Sequence, residues 1–396
     1  MFATPPDINR VNVTIWHNPT DEEYGHMTAA AAKALKFRLL IFAASPLFNA
    51  DKPYCEGEAA TQFLTWYGDY QEDRWKRALD AGLEFLTLNS NDGDYYKIQN
   101  TGKPREDYVN GYFEKGNREV ILPTFRWGIY DKKHKAFKQY DLGKGNPRGS
   151  YADMFQWKDG TPFDWNNEEH SANPFFDEKG HPTRDIRLYE NLIVNGDIWQ
   201  KKKPAEVYEG GQQGWGTGSK VGQSTRYGYG FRKFLRNRDD EINSKPYSCP
   251  WIRIPEIYLN MAEAMNHLGI ATQKDKFNRD AYDYLNMVHQ RAGLPAVKKE
   301  NVPEGESLLN YLLDERAREF GQEEVRYYDM IRYKKGYEWA TRPLEELKTT
   351  KEGKKFKYEV VIDEDNSYLW EDHWYLLPFP VNEINKKYGL VQNPGW

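Results

Sequence analysis

The sequence predicts a mostly α-helical protein with a long irregular segment in its middle. Amphipathic helical patterns occur before residue 90 and after residue 246, whereas the residues between are rich in Gly, Asn, Asp, Pro and aromatic side chains. The 396 residues suffice for one large domain or two ordinary ones. We interpret them as a single domain, with a helical part at 1–90, an irregular variable insertion at 91–245 and a C-terminal helical part at 246–396.

Two helices are predicted in the first helical part. One runs from Thr28 to about Ala44 and ends at Pro46, because proline interrupts helical hydrogen bonding. Its apolar stripe follows a spacing of three or four residues: Ala32, Leu35, Leu39 and Phe42. The other runs from Glu72 to about Leu88, with a stripe of Trp75, Leu79, Leu83 and Leu86. We expect the two helices to pack against each other in antiparallel orientation.

The C-terminal part contains the strongest helical patterns. Four helices are predicted: Pro255–Leu268, Phe277–Arg291, Ser307–Phe320 and Glu323–Tyr337. Pro255 suits the first turn of its helix, and Gly269 suits the residue that follows it. The helix pairs resemble tetratricopeptide-like hairpins, but their spacing does not follow a period of about 34 residues. We therefore expect a few stacked helix pairs, with the insertion over them and a short strand at Glu119–Pro123.

The closing segment from Trp374 to Trp396 is predicted to pack as an extended strap. Pro378 and Pro380 fix extended backbone around a short apolar run. Asn382 follows them and is expected to cap a short terminal helical turn through its side chain.

Composition restricts the classes of ligand. Aromatic residues make up 15% of the chain, with 13 Trp and 28 Tyr, which suits either ring packing between helices or a surface that binds sugars. The net charge of −5 argues against a nucleic-acid partner, because phosphate binding requires a basic surface. There is no run of about 20 apolar residues, and the first residues lack the pattern of a signal peptide.

Catalytic and metal-binding motifs are mostly missing from the sequence. The eight histidines are scattered, and His170 has no second histidine one helical turn away. The glycine-rich stretch 214–220 lacks the order of a phosphate-binding loop. Oxygen ligands cluster at 89–94, but the position that would supply a bidentate glutamate is Asn100, so a turn is favoured over calcium. We expect no enzyme activity and no cofactor, with a structural calcium ion as an unsupported option.

An ordered series of segments resembles the SusD/RagB family of outer-membrane glycan-binding lipoproteins. The segments span nearly the whole chain: Ala31–Asn49, Asn117–Ile121, Tyr151–Pro162, Arg184–Arg187, Tyr229–Lys233, Arg253–Ala264, Arg291–Leu294, Glu315–Phe320 and the strap. Family members resembling this chain begin with a secretion signal, a lipid-bearing cysteine and further helices. None of these precedes Met1, so the resemblance implies a chain that lacks the usual N-terminal portion and its membrane anchor.

The resemblance implies a non-catalytic binder at the outer surface of the outer membrane. Such a protein is expected to sit as a lid on a SusC-like TonB-dependent barrel transporter and to hold oligosaccharides for import. Two alternatives remain open. A peptide-binding relative would present a more charged, groove-like surface, and a glycoside hydrolase would require two carboxylates about 5 to 10 Å apart in a cleft.

Sugar capture requires flat rings for the apolar faces of sugars and polar side chains for their hydroxyl groups. Three tryptophans lie in the insertion where the family pattern is loose, and we predict them as ligand-binding residues: Trp127, Trp165 and Trp215. Neighbouring side chains join them as candidates: Arg126, Tyr130, Asn166 and Asn167. In contrast, Trp157 and Trp199 lie in or beside the family segments and are predicted to be structural, as are the helical residues Tyr258, Asn260, Glu263 and Arg316.

Overall fold

The computed structural model describes residues 16–17, 25–126, 147–199, 203–214, 228–234, 247–363 and 369–396. Its core is helical, which confirms the predicted fold class, and its strands occur in antiparallel pairs. The helices of the two helical parts are α1 (Ala29–Ala44), α2 (Glu58–Thr61), α3 (Asp73–Asn91), α8 (Ile254–His267), α9 (Ala281–His289), α10 (Glu306–Glu319), α11 (Val325–Arg332), α12 (Gly336–Ala340) and α13 (Val381–Ile384). No helix among the described residues is both long and apolar enough to span a membrane.

Helix α1 begins and ends close to its predicted limits. The Thr28 hydroxyl accepts a hydrogen bond of 3.1 Å from the Ala31 N–H, which satisfies one of the free donors of the first turn. However, the core face was predicted wrongly, because the fully buried side chains are Ala34, Phe37 and Ile41. The predicted stripe with Leu39 lies on the other side of the helix, so α1 is apolar on both sides.

The predicted packing of α1 against α3 is confirmed, and α8 packs against both helices. Gly82 on α3 allows this close approach. A Cβ atom added there would lie 2.3 Å from the Met261 sulfur on α8 and 2.7 Å from the Phe37 ring on α1. Trp75 and Phe85 of α3 are buried in the same core. The three helices thus form the centre of the first helical layer.

The C-terminal helices differ from their predicted limits mainly at turns. Asp280 caps α9 through a reciprocal pair of hydrogen bonds with Asp283, so this helix starts four residues later than Phe277. The predicted helix Glu323–Tyr337 is divided into α11 and α12, because Lys334 adopts a left-handed backbone conformation with φ 53°. Gly269, with φ 66°, follows α8 as predicted.

The insertion contains a helix that the sequence analysis did not predict. Helix α4 (Pro104–Phe113) starts with a proline, and the Asp107 carboxylate accepts hydrogen bonds of 2.7 and 3.2 Å from the N–H groups of Thr101 and Lys103. Only three short helices accompany it in the described insertion: α5 (Gly149–Asp153), α6 (Glu168–Ala172) and α7 (Arg187–Asn191).

Four strand pairs complete the described fold. Strand β1 (Val120–Arg126), which was predicted in part, pairs with β6 (Tyr247–Arg253). Two very short pairs follow. Strand β2 (Leu192–Ile193) pairs with β5 (Gly230–Phe231), and β3 (Ile198–Trp199) pairs with β4 (Lys203–Pro204). A long hairpin was not predicted. It consists of β7 (Leu344–Glu352) and β8 (Lys355–Asp363), joined by a two-residue turn in which Gly353 has φ 65°.

A network of buried ion pairs fastens the insertion to the helical part. Arg253 contacts Glu119 at 3.4 Å, Glu319 at 2.9 Å and Glu323 at 2.7 Å. The second centre is Arg187, which contacts Asp185 at 2.7 Å, Glu315 at 2.7 Å and Glu319 at 3.2 Å. All these side chains are almost completely buried. Burial raises the pKa of a carboxyl group, but the arginines overcome this at Glu315 and Glu319 and hold both pKa values below the usual range.

The strap is extended at Leu376–Pro380, as predicted, but most of its side chains are exposed, so the predicted packing is largely wrong, and its cap also differs. Pro380 occupies the position before α13, and Asn382 lies inside this helix, so the predicted cap at Asn382 is wrong. Side chains hold the strap instead. The Trp396 indole N–H donates to the carbonyl oxygens of His373 and Leu376 at 3.1 Å, and the Asn393 side chain donates to the Leu377 carbonyl at 2.6 Å.

Candidate functional site

Four partly buried aromatic side chains form a continuous row where the β7–β8 hairpin packs against the insertion. The ring centroids of Trp165 and Tyr358 are 6.4 Å apart, those of Tyr358 and Phe356 are 6.5 Å apart, and those of Phe356 and Tyr208 are 5.4 Å apart. Phe356 and Tyr358 share one face of β8 because alternate residues of a strand point the same way. We call these four side chains the aromatic row.

Local contacts hold both ends of the aromatic row. At one end, the Trp165 indole N–H donates to the Asp153 carboxylate at 2.9 Å, and the Trp165 ring meets Phe163 edge to face at 4.9 Å. At the other end, the Lys351 ammonium lies 5.1 Å from the centre of the Tyr208 ring. In the middle, the Asn195 side chain donates to the Tyr358 hydroxyl at 3.4 Å. The row therefore carries polar groups beside its rings.

A buried acid lies directly beneath Trp165. Burial raises the pKa of the Asp153 carboxyl to about 6, although the Arg184 guanidinium and the Trp165 N–H act in the opposite direction. The Asp153 Oδ1 and Arg184 Nη1 atoms are both buried, and neither has a hydrogen-bond partner among the described residues. The remaining Arg184 nitrogens donate to the carbonyls of Phe155 and Ala152 at 2.6 to 2.8 Å.

Asp153→Asn is expected to change how stability depends on pH. The folded pKa of about 6 exceeds the unfolded value of about 3.9, so folding takes up a proton between these values. The contribution of Asp153 is fully present below about pH 4 and is lost as the pH rises through 6. The variant should therefore match the wild type near pH 4 and be more stable by about 2–3 kcal/mol at pH 7.5.

Urea denaturation of both proteins between pH 4 and 8 measures this difference. Using the difference between the two proteins removes the contributions of the other titratable groups. A stability difference that is independent of pH, or one that favours the wild type at pH 7.5, would show that burial does not raise the pKa of Asp153.

The structure places the predicted site residues in different surroundings. Trp165 belongs to the aromatic row and also packs on the cluster beneath the hairpin. Asn167 caps α6 by accepting hydrogen bonds of 2.9 and 3.2 Å from the N–H groups of Glu169 and His170. Asn166 is exposed, and its side chain donates to Asp164 at 3.0 Å. Whether these three contact a ligand stays a prediction.

The other four predicted ligand residues lie wholly or partly outside the described residues. Arg126 is the last residue of β1, opposite Tyr247, and only its backbone is described. Three further candidates lie outside the described residues: Trp127, Tyr130 and Trp215. The structural role predicted for Trp157 is supported, because this side chain is buried and stacks on His170 at 4.1 Å. The backbone of Trp199 lies in β3, and its side chain is outside the description.

A second surface feature is an apolar groove of about 350 Å³ between α1, β6 and the start of α11. Its apolar and aromatic lining side chains include Leu35, Leu39, Phe42, Pro250, Trp251 and Tyr328. We call it the α1 groove. Its charged lining residues are largely engaged with one another, since Arg38 pairs with Glu256 and Arg316 pairs with Asp329 at 2.8 Å.

The model of the SusD family matches residues 84–396, which is most of the chain. The chain belongs to the SusD family. The residues of the helical motifs contact one another, as their predicted scaffold roles require. The Arg316 guanidinium donates to Asn260 at 2.7 Å, and Glu263 pairs with Arg332. No curated protein matches the chain significantly.

Solved structures share the SusD fold with this chain. A SusD-like protein from Bacteroides fragilis NCTC 9343 is 23% identical, with 96% of this chain and 68% of that chain covered and a TM-score of 0.67. The protein BT4246 is 23% identical, with 96% and 73% covered and a TM-score of 0.72. A SusD-like carbohydrate binding protein from Bacteroides fragilis NCTC 9343 is 18% identical, with 83% and 56% covered and a TM-score of 0.56.

Three members of the aromatic row were not predicted from the sequence: Tyr208, Phe356 and Tyr358. Phe356 and Tyr358 alternate with the lysines and glutamate of β8, a pattern typical of a strand with one packed face. That alternation was an available signal. For Tyr208, no local pattern distinguishes it from the many other tyrosines of the insertion.

Metal binding finds no support in the described part of this SusD-family chain. No group of three or more His, Cys, Asp or Glu side chains is placed there to hold a metal ion. In the stretch with the candidate calcium ligands, the Asn89 side chain instead exchanges hydrogen bonds of 2.9 and 3.0 Å with the backbone of Tyr96. This segment therefore forms a closed turn at the end of α3.

Proposed function

We propose that this protein binds an oligosaccharide at the aromatic row without cleaving it. The row carries the proposal, because its rings offer apolar faces for sugar rings and polar side chains lie beside them. Membership of the SusD family supports the same function, and one solved protein with this fold is described as carbohydrate binding.

The shape of the row favours a chain of sugars over a single unit. Its four rings follow one another over three successive centroid spacings, so a ligand of several sugar units is needed to cover them. The exposed ammonium of Lys351 lies beside the terminal Tyr208 ring. Such donors replace the water around sugar hydroxyl groups and set the orientation of the ligand.

We also propose the cellular setting that the family suggests. The protein is placed at the outer surface of the outer membrane, anchored by lipid in its full-length form. There it delivers its oligosaccharide to a SusC-like TonB-dependent barrel transporter. Support for this part comes from the family alone. Copurification with the barrel transporter from the native membrane tests it, and a protein that remains alone after gentle solubilisation would contradict it.

Tyr208→Ala is expected to weaken oligosaccharide binding by about 3- to 10-fold, since the stacking of one ring contributes about 0.5–1.5 kcal/mol. A glycan array first identifies a ligand, and isothermal titration calorimetry then compares the proteins. Tyr70→Ala is the matched control, because Tyr70 is an exposed tyrosine in the loop before α3. Equal affinities of the wild type and both variants would remove the row as the binding surface.

The absence of cleavage is tested on the same ligand. Incubation of the purified protein with the oligosaccharide should release no new reducing ends over several hours. Steady release would instead favour a glycoside hydrolase, the alternative in which two carboxylates flank the bound sugar.

A further inference from the structure

The Trp165 ring of the aromatic row is held by a charged group that lies beneath it. Its indole N–H donates to the Asp153 carboxylate at 2.9 Å. A hydrogen bond to a charged acceptor is roughly twice as strong as one between neutral groups. The contact therefore restrains the polar edge of the indole, and with it the plane of the ring.

A second contact restrains the same ring. Phe163 meets Trp165 edge to face, with 4.9 Å between the ring centroids. Phe163 is itself fixed, because it is buried and the Arg184 guanidinium carbon lies 3.4 Å from the centre of its ring. The Arg184 guanidinium donates in turn to the carbonyl of Ala152, next to Asp153 in the chain, at 2.8 Å. Trp165 is thus held from beneath before any ligand arrives, which reduces the entropy lost on binding.

Helix α5, which ends at Asp153, also contacts the hairpin that carries Phe356 and Tyr358. A Cβ atom added to the first residue of α5, Gly149, would lie 3.0 Å from the Glu345 Cβ and 3.1 Å from the Glu345 carbonyl oxygen on β7. The rings at the Trp165 end of the row pack on one buried cluster, to which α5 and β7 both contribute. One short helix therefore contacts both segments and sets the spacing of their rings.

The fold alone does not explain the presence of Asp153. Burial raises the pKa of its carboxyl to about 6, so the charged form is disfavoured in the folded protein at neutral pH. Its buried Oδ1 atom has no hydrogen-bond partner among the described residues, and Glu345 adds a second negative charge nearby. Proteins break such local rules mainly at functional sites. A carboxylate that weakens the fold and holds a ring of the row is explained by the row.

We propose that Asp153 is a positioning residue for oligosaccharide binding. Its carboxylate fixes the Trp165 ring in the orientation on which a sugar stacks, and α5 places that ring at a set distance from Phe356 and Tyr358. Asp153 acts through Trp165 and does not contact the ligand. This inference rests on the proposed function of the aromatic row and deepens it.

Calorimetry with the oligosaccharide found on the glycan array tests the effect on affinity. Asp153→Leu removes the acceptor at similar size and should weaken binding about 3- to 10-fold, the effect of one stacked ring. Asp153→Asn keeps an oxygen acceptor, so its affinity should stay within about twofold of the wild type. Asp153→Ala, which also lacks an acceptor, replaces the leucine variant if that variant does not fold.

A double-mutant comparison separates positioning from a general structural role. In a Trp165→Ala background, Asp153→Leu should have no further effect on affinity, because the ring that it positions is already gone. An equal loss of affinity in both backgrounds would overturn the proposal, since Asp153 would then act on something other than Trp165.

The indole N–H resonance of Trp165 tests the same role without a ligand. NMR identifies this resonance by its absence in Trp165→Phe. A hydrogen-bonded N–H resonates downfield, so the resonance should stay downfield in Asp153→Asn and move upfield in Asp153→Leu. An unmoved resonance in Asp153→Leu would overturn the proposal even if the wild type binds the oligosaccharide. If the resonance moves as expected but the wild type binds no oligosaccharide, the proposed function fails and this proposal fails with it.

Discussion

Arg253→Met is expected to lower the free energy of unfolding by about 3–5 kcal/mol, the usual effect of removing one partner from a buried ion pair. The Arg253 side chain is buried and engages three carboxylates, those of Glu119, Glu319 and Glu323. Methionine has a similar length but supplies no donor. The variant therefore leaves three buried negative charges with fewer cationic neighbours.

Two remaining cations reduce this loss of stability without removing it. Arg291 contacts Glu119 at 3.1 Å and also pairs with Glu319, while Lys233 stays beside Glu323 at 2.5 Å. Arg253 also donates to the Glu319 carbonyl at 3.1 Å, and this acceptor would keep the Tyr108 hydroxyl at 3.0 Å and the Lys233 ammonium at 3.3 Å. The main loss is therefore the charge opposite the three buried carboxylates.

Chemical denaturation at pH 7 measures the effect of Arg253→Met. Arg77→Met is the matched control, because Arg77 pairs with Asp73 at 2.7 Å on the surface of α3 and is 70% exposed. Surface ion pairs contribute about 0–1 kcal/mol, so this control should change stability little. Similar losses in both variants would show that the buried network does not fasten the insertion.

Phe37→Ala is expected to lower the free energy of unfolding by about 3–5 kcal/mol, as is typical when a large ring is removed from a core. Phe37 is fully buried and lies where α1, α3 and α8 meet. The surroundings have little freedom to refill the space, because the backbone of Gly82 already approaches the Phe37 ring and the Met261 sulfur closely. A cavity should remain and add to the loss of apolar burial.

Leu39→Ala provides the control for Phe37→Ala on the same helix. It removes a large apolar side chain from the exposed side of α1, so we expect a change below about 0.5 kcal/mol. Both variants are compared by chemical denaturation in the absence of any partner. A loss above about 2 kcal/mol for Leu39→Ala would contradict the exposure of the outer face.

The sequence predicts the helices well where periodicity and end signals agree. The limits of α1 follow from the cap at Thr28 and the proline at 46, and those of α8 follow from Pro255 and Gly269. The predicted core face of α1 is wrong because leucines and a phenylalanine also occupy the outer side of this helix. Periodicity indicates that a helix has an apolar face but does not identify which neighbour covers it.

Tertiary contacts explain why other features were missed. The hairpin strand β7 reads LEELKTTKE, in which only the buried Leu347 and Thr349 alternate, because Leu344 lies three residues before Leu347 and so on the other face. Arg253 lies in a recognised motif, yet its contacts with Glu119 and Glu319 bridge 134 and 66 residues of chain. Only the folded chain reveals such partners. For the same reason Trp165 was predicted as a site residue, while its neighbour Tyr358 was not.

The aromatic row has a consequence for the order of assembly. The β7–β8 hairpin closes through a two-residue turn, and such local contacts form within microseconds. Trp165 and Tyr208 lie well over a hundred residues earlier in the chain than Phe356 and Tyr358, and contacts of that separation form slowly. The aromatic row therefore becomes complete only late in folding, when the hairpin docks. A ligand that contacts both segments would stabilise the docked hairpin, because it binds only when the hairpin is in place.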